Sequence, residues 1–92
     1  MSDVINLQAT FLPNDGEFFR VKLALDIAIE QVVEEAGCIQ YEITQESEEK
    51  IVLTEQWASE ADLDRHSKGI AVQDLNESLS ALLAEPVKLD RL

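Results

Sequence analysis

The sequence is short of the residues on which many chemistries depend. Among 92 residues there is one cysteine, one histidine, three glycines and seven lysines or arginines. A lone cysteine, Cys38, excludes an internal disulfide and a four-thiolate zinc site. A lone histidine without paired cysteines excludes a tight transition-metal site. Glycines at 16, 37 and 69 stand too far apart to form a phosphate loop. Seven basic against nineteen acidic residues leaves a net charge of −12, which repels phosphate backbones and anionic lipid heads. Nucleic acid and membrane surfaces are therefore not expected as partners. No apolar run approaches the ~20 residues of a membrane span. Met1-Ser2-Asp3 lacks the basic start of a secretory signal. No serine sits in a nucleophile-elbow context. The expectation is a soluble cytoplasmic protein.

The length suits one domain, residues 1–92, with no room for a separate cofactor domain. With 46% hydrophobic and 28% charged residues, the composition is that of a globular chain able to bury a core. The acidic run Glu46-Ser47-Glu48-Glu49-Lys50 has no His or Asp at ligand spacing and reads as a solvated turn.

Period-two alternation over Asp3 to Phe11, with Ile5, Leu7, Ala9 and Phe11 on one side, predicts a strand. Asn14, with Glu17 three residues on, resembles a helix start. Phe18, Val21, Leu25, Ile29, Val32 and Ala36 then form one stripe on a helix of about five turns. Gly37 suits the left-handed residue that closes it. Cys38 to Gln45 and Ile51 to Trp57 read as strands of an antiparallel hairpin. Ser59-Glu60-Ala61-Asp62 has the form of a capping box and starts a second helix. In it Leu63, His66 and Ile70 share a stripe, Gly69 kinks or interrupts, and Val72, Leu75, Leu79 and Leu82 continue to Ala84. Glu85-Pro86 stops the helix, and Val87 to Leu92 forms a last short strand.

The order βαββαβ predicts a ferredoxin-like α+β fold, an antiparallel four-stranded sheet with two helices on one face. Alternation does not say which residue set faces the helices. Either way, apolar side chains such as Tyr41 or Leu53 are expected on the uncovered face. A second copy packed sheet to sheet is its simplest cover, which predicts a homodimer.

A few residues have chemistry to offer, each with two readings. Trp57 is a core anchor, or a pocket wall whose indole N–H donates to a ligand. His66 is a satisfied core or interface histidine, or a proton acceptor near neutral pH. Asn6, in mid-strand where asparagine is disfavoured, faces solvent or a partner chain, or polarises a ligand carbonyl. Tyr41 and Glu55 are strand polar groups whose direction alternation leaves open. Cys38, beside apolar residues, reads as a buried inert thiol.

Taken together these residues have a known counterpart. Glu35-Ala36-Gly37-Cys38-Ile39-Gln40-Tyr41-Glu42 is similar to the helix-to-strand junction of the antibiotic biosynthesis monooxygenase family. Val52-Leu53-Thr54-Glu55-Gln56-Trp57, then Leu63-Asp64-Arg65-His66, resembles that family's Glu-x-Trp signature with a histidine nine residues after the Trp. Leu82-Leu83-Ala84-Glu85-Pro86-Val87 resembles its ending. The resemblance implies a dimeric α/β barrel with a pocket between sheet and helices. It implies oxidation of a quinol or anthrone-like aromatic by molecular oxygen, with no metal, flavin or other cofactor, the substrate anion supplying the electron.

Carried over by resemblance, His66 is the base, Trp57 the stacking wall and donor, and Asn6 the oxyanion-orienting group. Tyr41 and Glu55 support the substrate. Many relatives carry a second histidine at about the place of Ile70 or Ala71, so Ile70 takes that position on the pocket rim. The same fold also serves degrading enzymes and isomerases of small metabolites, and non-catalytic dimers in which Trp57 and His66 merely pack.

Overall fold

The computed structural model describes residues 4–92. Asp3, the expected first residue of the opening strand, lies outside them. The described part of that strand, β1 (Ile5–Phe11), is followed by α1 (Phe18–Val32), β2 (Cys38–Glu46) and β3 (Ile51–Trp57). Then come α2 (Glu60–Ser67), α3 (Ile70–Leu79) and β4 (Lys88–Arg91). The antiparallel sheet has the order β2-β3-β1-β4, so the expected ferredoxin-like α+β fold is the observed one.

Register settles which alternating set faces the helices. Ile5, Leu7, Ala9 and Phe11 pair with Trp57, Glu55, Leu53 and Ile51, and paired residues share a face. This set packs against Val21, Leu25, Ala28 and Val32 of α1 and Ala71, Leu75 and Leu79 of α3 in one core. Tyr41, opposite Glu55, belongs to the same side. Tyr41 and Leu53 were expected on the uncovered face; both are instead buried under the helices. The uncovered face is largely polar. There the Thr44 and Thr54 hydroxyls share a hydrogen bond of 2.8 Å, and Gln56 Nε2 donates to Asn6 Oδ1 at 3.1 Å.

The helices differ from expectation at their ends. Asn14 does not cap α1 with its side chain. Its carbonyl accepts the Glu17 N–H at 2.9 Å, and its own N–H donates to the Leu82 carbonyl at 2.8 Å. α1 stops at Val32, after about four turns. The N–H groups of Glu34 and Glu35 reach back only three residues, to Gln31 and Val32, and this tightening delivers the chain to Gly37 at φ +80°. Ala36 is therefore exposed rather than part of the stripe, and Ala28 takes a core place.

The second helical segment is cut at Gly69, which caps α3 with extended backbone. The restart resets the helical phase. Ala71, Leu75 and Leu79 are buried, while Ile70 is 72% exposed and leaves the stripe that Leu63 and His66 began. α3 ends at Leu79 rather than Ala84 because the following backbone is taken by the β1–α1 loop. Ala84 N–H donates to Leu12 at 2.7 Å, and Pro13 and Leu83 form a bridge.

Candidate active site

Three local devices position the site. In β3, residues two apart point the same way, so Glu55 is carried inward with Leu53 and Trp57. Ser59 caps α2, its Oγ accepting the Asp62 N–H at 3.2 Å and donating to Asp62 Oδ2 at 2.9 Å. Two turns later this helix buries His66. Gly37 lets the chain turn from α1 into β2 so closely under α2 that an added Cβ would lie 2.2–2.5 Å from Asp62 side-chain atoms.

The result is a buried aromatic and carboxylate cluster. The His66 ring stacks on Trp57, centroids 4.4 Å apart and planes 28° apart. Tyr41 meets His66 edge-on at 5.5 Å. Trp57 Nε1 donates to Glu55 Oε1 at 3.0 Å, and the same oxygen lies 3.9 Å from His66 Nε2. On the other side of the ring, His66 Nδ1 lies 2.9 Å from Glu35 Oε1. The imidazole thus spans two carboxylates. No buried side-chain N or O is left unpartnered among the described residues.

Burial pushes the Glu55 carboxyl above its usual range, against the opposing pull of the Trp57 hydrogen bond and of charge on His66. Burial, with the carboxylates of Glu55 and Glu35, drives the Tyr41 phenol well above its usual range. Cys38 is pushed up by burial and by Glu35 and Glu55, so its thiol stays protonated and unreactive.

A cavity of about 240 Å³ opens beside this cluster, with Tyr41, Glu55, His66, Phe11, Leu63 and Leu75 in its walls. That volume is below the ~300 Å³ at which drug-sized pockets begin, so it suits a small ligand. The wall is mainly hydrocarbon, with the polar groups of Tyr41, Glu55, His66, Ser67 and Asn76 converging on it. Among the described residues no group of three or more His, Cys, Asp and Glu side chains is arranged to hold a metal ion.

Of the six residues singled out in the sequence, four come together: Tyr41, Glu55, Trp57 and His66. Two do not. Asn6 is exposed on the opposite face of the sheet, because its position in β1 alternates with the inward Ile5 and Leu7. Ile70 lies outside the cavity wall, on the solvent side of the restarted helix. Trp57, read as a wall that stacks on a ligand, is fully buried and stacks on His66 instead. Glu35, given no role from the sequence, is the closest hydrogen-bonding partner of the only histidine.

A four-stranded antiparallel sheet with its helices on one face, and a small, mostly apolar cavity with one histidine between carboxylates, defines a domain of ferredoxin-like class. The model for "Antibiotic biosynthesis monooxygenase" matches residues 5–78, and the chain belongs to that family. Comparison with curated proteins finds no match. Among solved structures, PA3566 from Pseudomonas aeruginosa is similar at 30% identity and TM-score 0.90, over 100% of this chain and 94% of that one. Rv0793 from Mycobacterium tuberculosis is 24% identical at TM-score 0.89, over 97% of this chain and 92% of that one. A candidate antibiotic biosynthesis monooxygenase from Nitrosomonas europaea shares the fold at TM-score 0.92, with 18% identity over 100% and 90%.

Proposed function

We propose that the protein is a cofactor-independent monooxygenase that oxidises a small quinol or phenolic aromatic with molecular oxygen. The observation that carries this reading is His66, set in the cavity wall with Nδ1 against the Glu35 carboxylate. An ionised carboxylate only accepts, so the neutral ring keeps its proton on Nδ1. The Nε2 lone pair is then available as a base.

In this reading Nε2 takes a phenolic proton, and the electron-rich anion reduces oxygen. A ring carbon forms the new C–O bond. One oxygen atom stays in the product and the other leaves as water, so that quinol plus O₂ gives hydroxyquinone plus H₂O. The hydrocarbon walls lower the local dielectric and so strengthen the electrostatic interactions beside them. Trp57 holds Glu55 by its indole N–H and supports the imidazole from behind. Tyr41 and Glu55 shape the ligand space. Asn6 and Ile70 take no part in this site. The unpaired thiol of Cys38 is in keeping with a reducing, cytoplasmic setting.

The test is oxygen uptake with menadiol-type compounds, alongside quenching of the only tryptophan as the cavity fills. Uptake with quenching supports the proposal. Quenching without uptake supports the second reading, a non-catalytic small-ligand module. One observation favours that second reading: the indole N–H is already spent on Glu55 and is not free to hold an oxyanion. The two carboxylates around His66 argue against anionic metabolites, and so against a degrading enzyme for phosphorylated substrates.

We further propose a homodimer closed through the uncovered sheet face, where Asn6, Gln56, Thr44 and Thr54 present a polar, hydrogen-bonding surface. Light scattering should give twice the 10.3 kDa chain mass at micromolar concentration; a single chain mass overturns it.

A further inference from the structure

Taking a proton from a phenol leaves an oxyanion, and most polar groups around His66 are committed elsewhere. The Trp57 N–H is spent on Glu55 at 3.0 Å, and the Ser67 hydroxyl donates to the Asp64 carbonyl at 2.8 Å. Glu55, as a carboxylate, only accepts. Asn6 is on the other face of the sheet. Asn76 joins the cavity wall, but it is exposed and its amide is open to water.

The Tyr41 hydroxyl is different. Tyr41 stands opposite Glu55 in the sheet, on the helix side, and is 4% exposed. Buried polar side chains are hydrogen-bonded as a rule. Among the described residues, however, the Tyr41 hydroxyl has no hydrogen-bond partner. No fully enclosed side-chain N or O among these residues lacks a partner, so this hydroxyl is not fully enclosed. The space it meets is the cavity of about 240 Å³, whose wall Tyr41 shares with His66. The two rings touch edge-on, centroids 5.5 Å apart. Burial, then the charges of Glu55 and Glu35, hold the phenol well above its usual range, so at neutral pH it keeps its proton and can donate it in a hydrogen bond.

We infer that the Tyr41 hydroxyl is the oxyanion donor of the site, hydrogen-bonding the same phenolic oxygen from which His66 takes the proton. This rests on the reading of His66 as the base. A phenolic oxygen has lone pairs for two such contacts. As its proton passes to Nε2, the imidazolium N–H keeps one contact and Tyr41 Oη–H supplies the other. The substrate loses one proton, His66 holds it, and Tyr41 keeps its own throughout. A hydrogen bond to a charged oxygen is stronger than one to a neutral oxygen, so the contact favours the anion over the bound phenol.

Tyr41→Phe removes the hydroxyl and keeps the ring against His66. Because the hydroxyl has no partner within the fold, the variant should melt no lower than wild type. A lower melting temperature would mean that the hydroxyl is bonded within the fold, and it overturns the inference.

A readout free of oxygenase activity uses para-nitrophenol, whose anion is yellow and whose neutral form is colourless. Wild type should bind it as the anion, with the proton on His66. In Tyr41→Phe the ratio of bound anion to bound neutral form should fall ~10-fold or more, the worth of one hydrogen bond to a charged oxygen. Nitrobenzene has no phenolic oxygen and should bind both proteins alike. An equal ratio in the two proteins, no bound anion in wild type, or a matching loss of nitrobenzene binding overturns the inference.

With a quinol that the wild type oxidises, Tyr41→Phe should lower kcat by ~10²-fold, the scale of one lost oxyanion donor. An undiminished kcat overturns the donor and leaves the oxygenase reading standing. The expected nitrophenol result without oxygen uptake from any quinol upholds the donor and rejects only the oxygenase reading.

Discussion

The Trp57 indole and the His66 imidazole lie face to face, 4.4 Å between ring centroids. One is the only tryptophan and the other the only histidine, so each reports on its neighbour without background. Indole emission responds to what touches the ring face, so His66→Ala should change Trp57 intensity and emission maximum as the stacked ring is removed. Gly16→Ala, in open space, should leave both unchanged. Unaltered emission in His66→Ala would mean that the stack does not govern the fluorescence.

Gly37 carries a double constraint. Its φ of +80° is the left-handed region, where a β-carbon costs roughly 1–2 kcal/mol. That carbon would also overlap Asp62 at 2.2–2.5 Å, at the cap of the helix that bears His66. Gly37→Ala should destabilise the fold by about 2 kcal/mol or more in denaturant unfolding and loosen the His66–Glu35 contact. Gly16 has the same φ and open space around it, so Gly16→Ala should cost only the backbone part. Equal losses in the two variants would remove the packing argument.

Glu55 is a carboxylate whose folded-state pKa is raised, first by burial. The sign follows from linkage. Above its folded pKa the group is ionised in both states, and the folded state carries the cost of a buried charge. As pH falls through the folded pKa toward the unfolded value, the folded protein binds the proton first and the cost disappears. Glu55→Gln should therefore melt higher than wild type at pH 7, while its amide oxygen can still accept the Trp57 N–H. The advantage should shrink as pH falls toward 4, the unfolded carboxyl range. A constant gap across that window would show that Glu55 adds no titrating term of its own.

Much of the fold was legible because it rests on local rules. Period two located three of the four strands closely, Ser59 marked the start of α2, and Gly69 marked the break. Helix ends that depend on distant backbone were not legible. α3 stops early because Leu82 and Ala84 bond to Asn14 and Leu12, about seventy residues earlier, and no pattern within the helix shows that. Ile70 was misplaced by counting one helical phase through Gly69, where the chain restarts.

The site was legible in part for the same reason. Glu55 and Trp57 are two apart on one strand and must share a face, so their hydrogen bond was within reach of the sequence. Asn6 differs in parity from Ile5 and Leu7, and only the register shows that its set is the outer one. Glu35 lies 31 residues from His66, in the turn after α1, where no periodicity points it anywhere. Its hydrogen bond could come only from the fold.

The most direct measurement is single-turnover oxidation of a menadiol-type quinol under ¹⁸O₂, with wild type and His66→Ala side by side. The account predicts one labelled oxygen in the wild-type product. It predicts a loss of ~10²–10⁴-fold in His66→Ala, the worth of a positioned base. Label incorporation at an undiminished rate in His66→Ala, or none in either protein while the quinol still quenches Trp57, would contradict it.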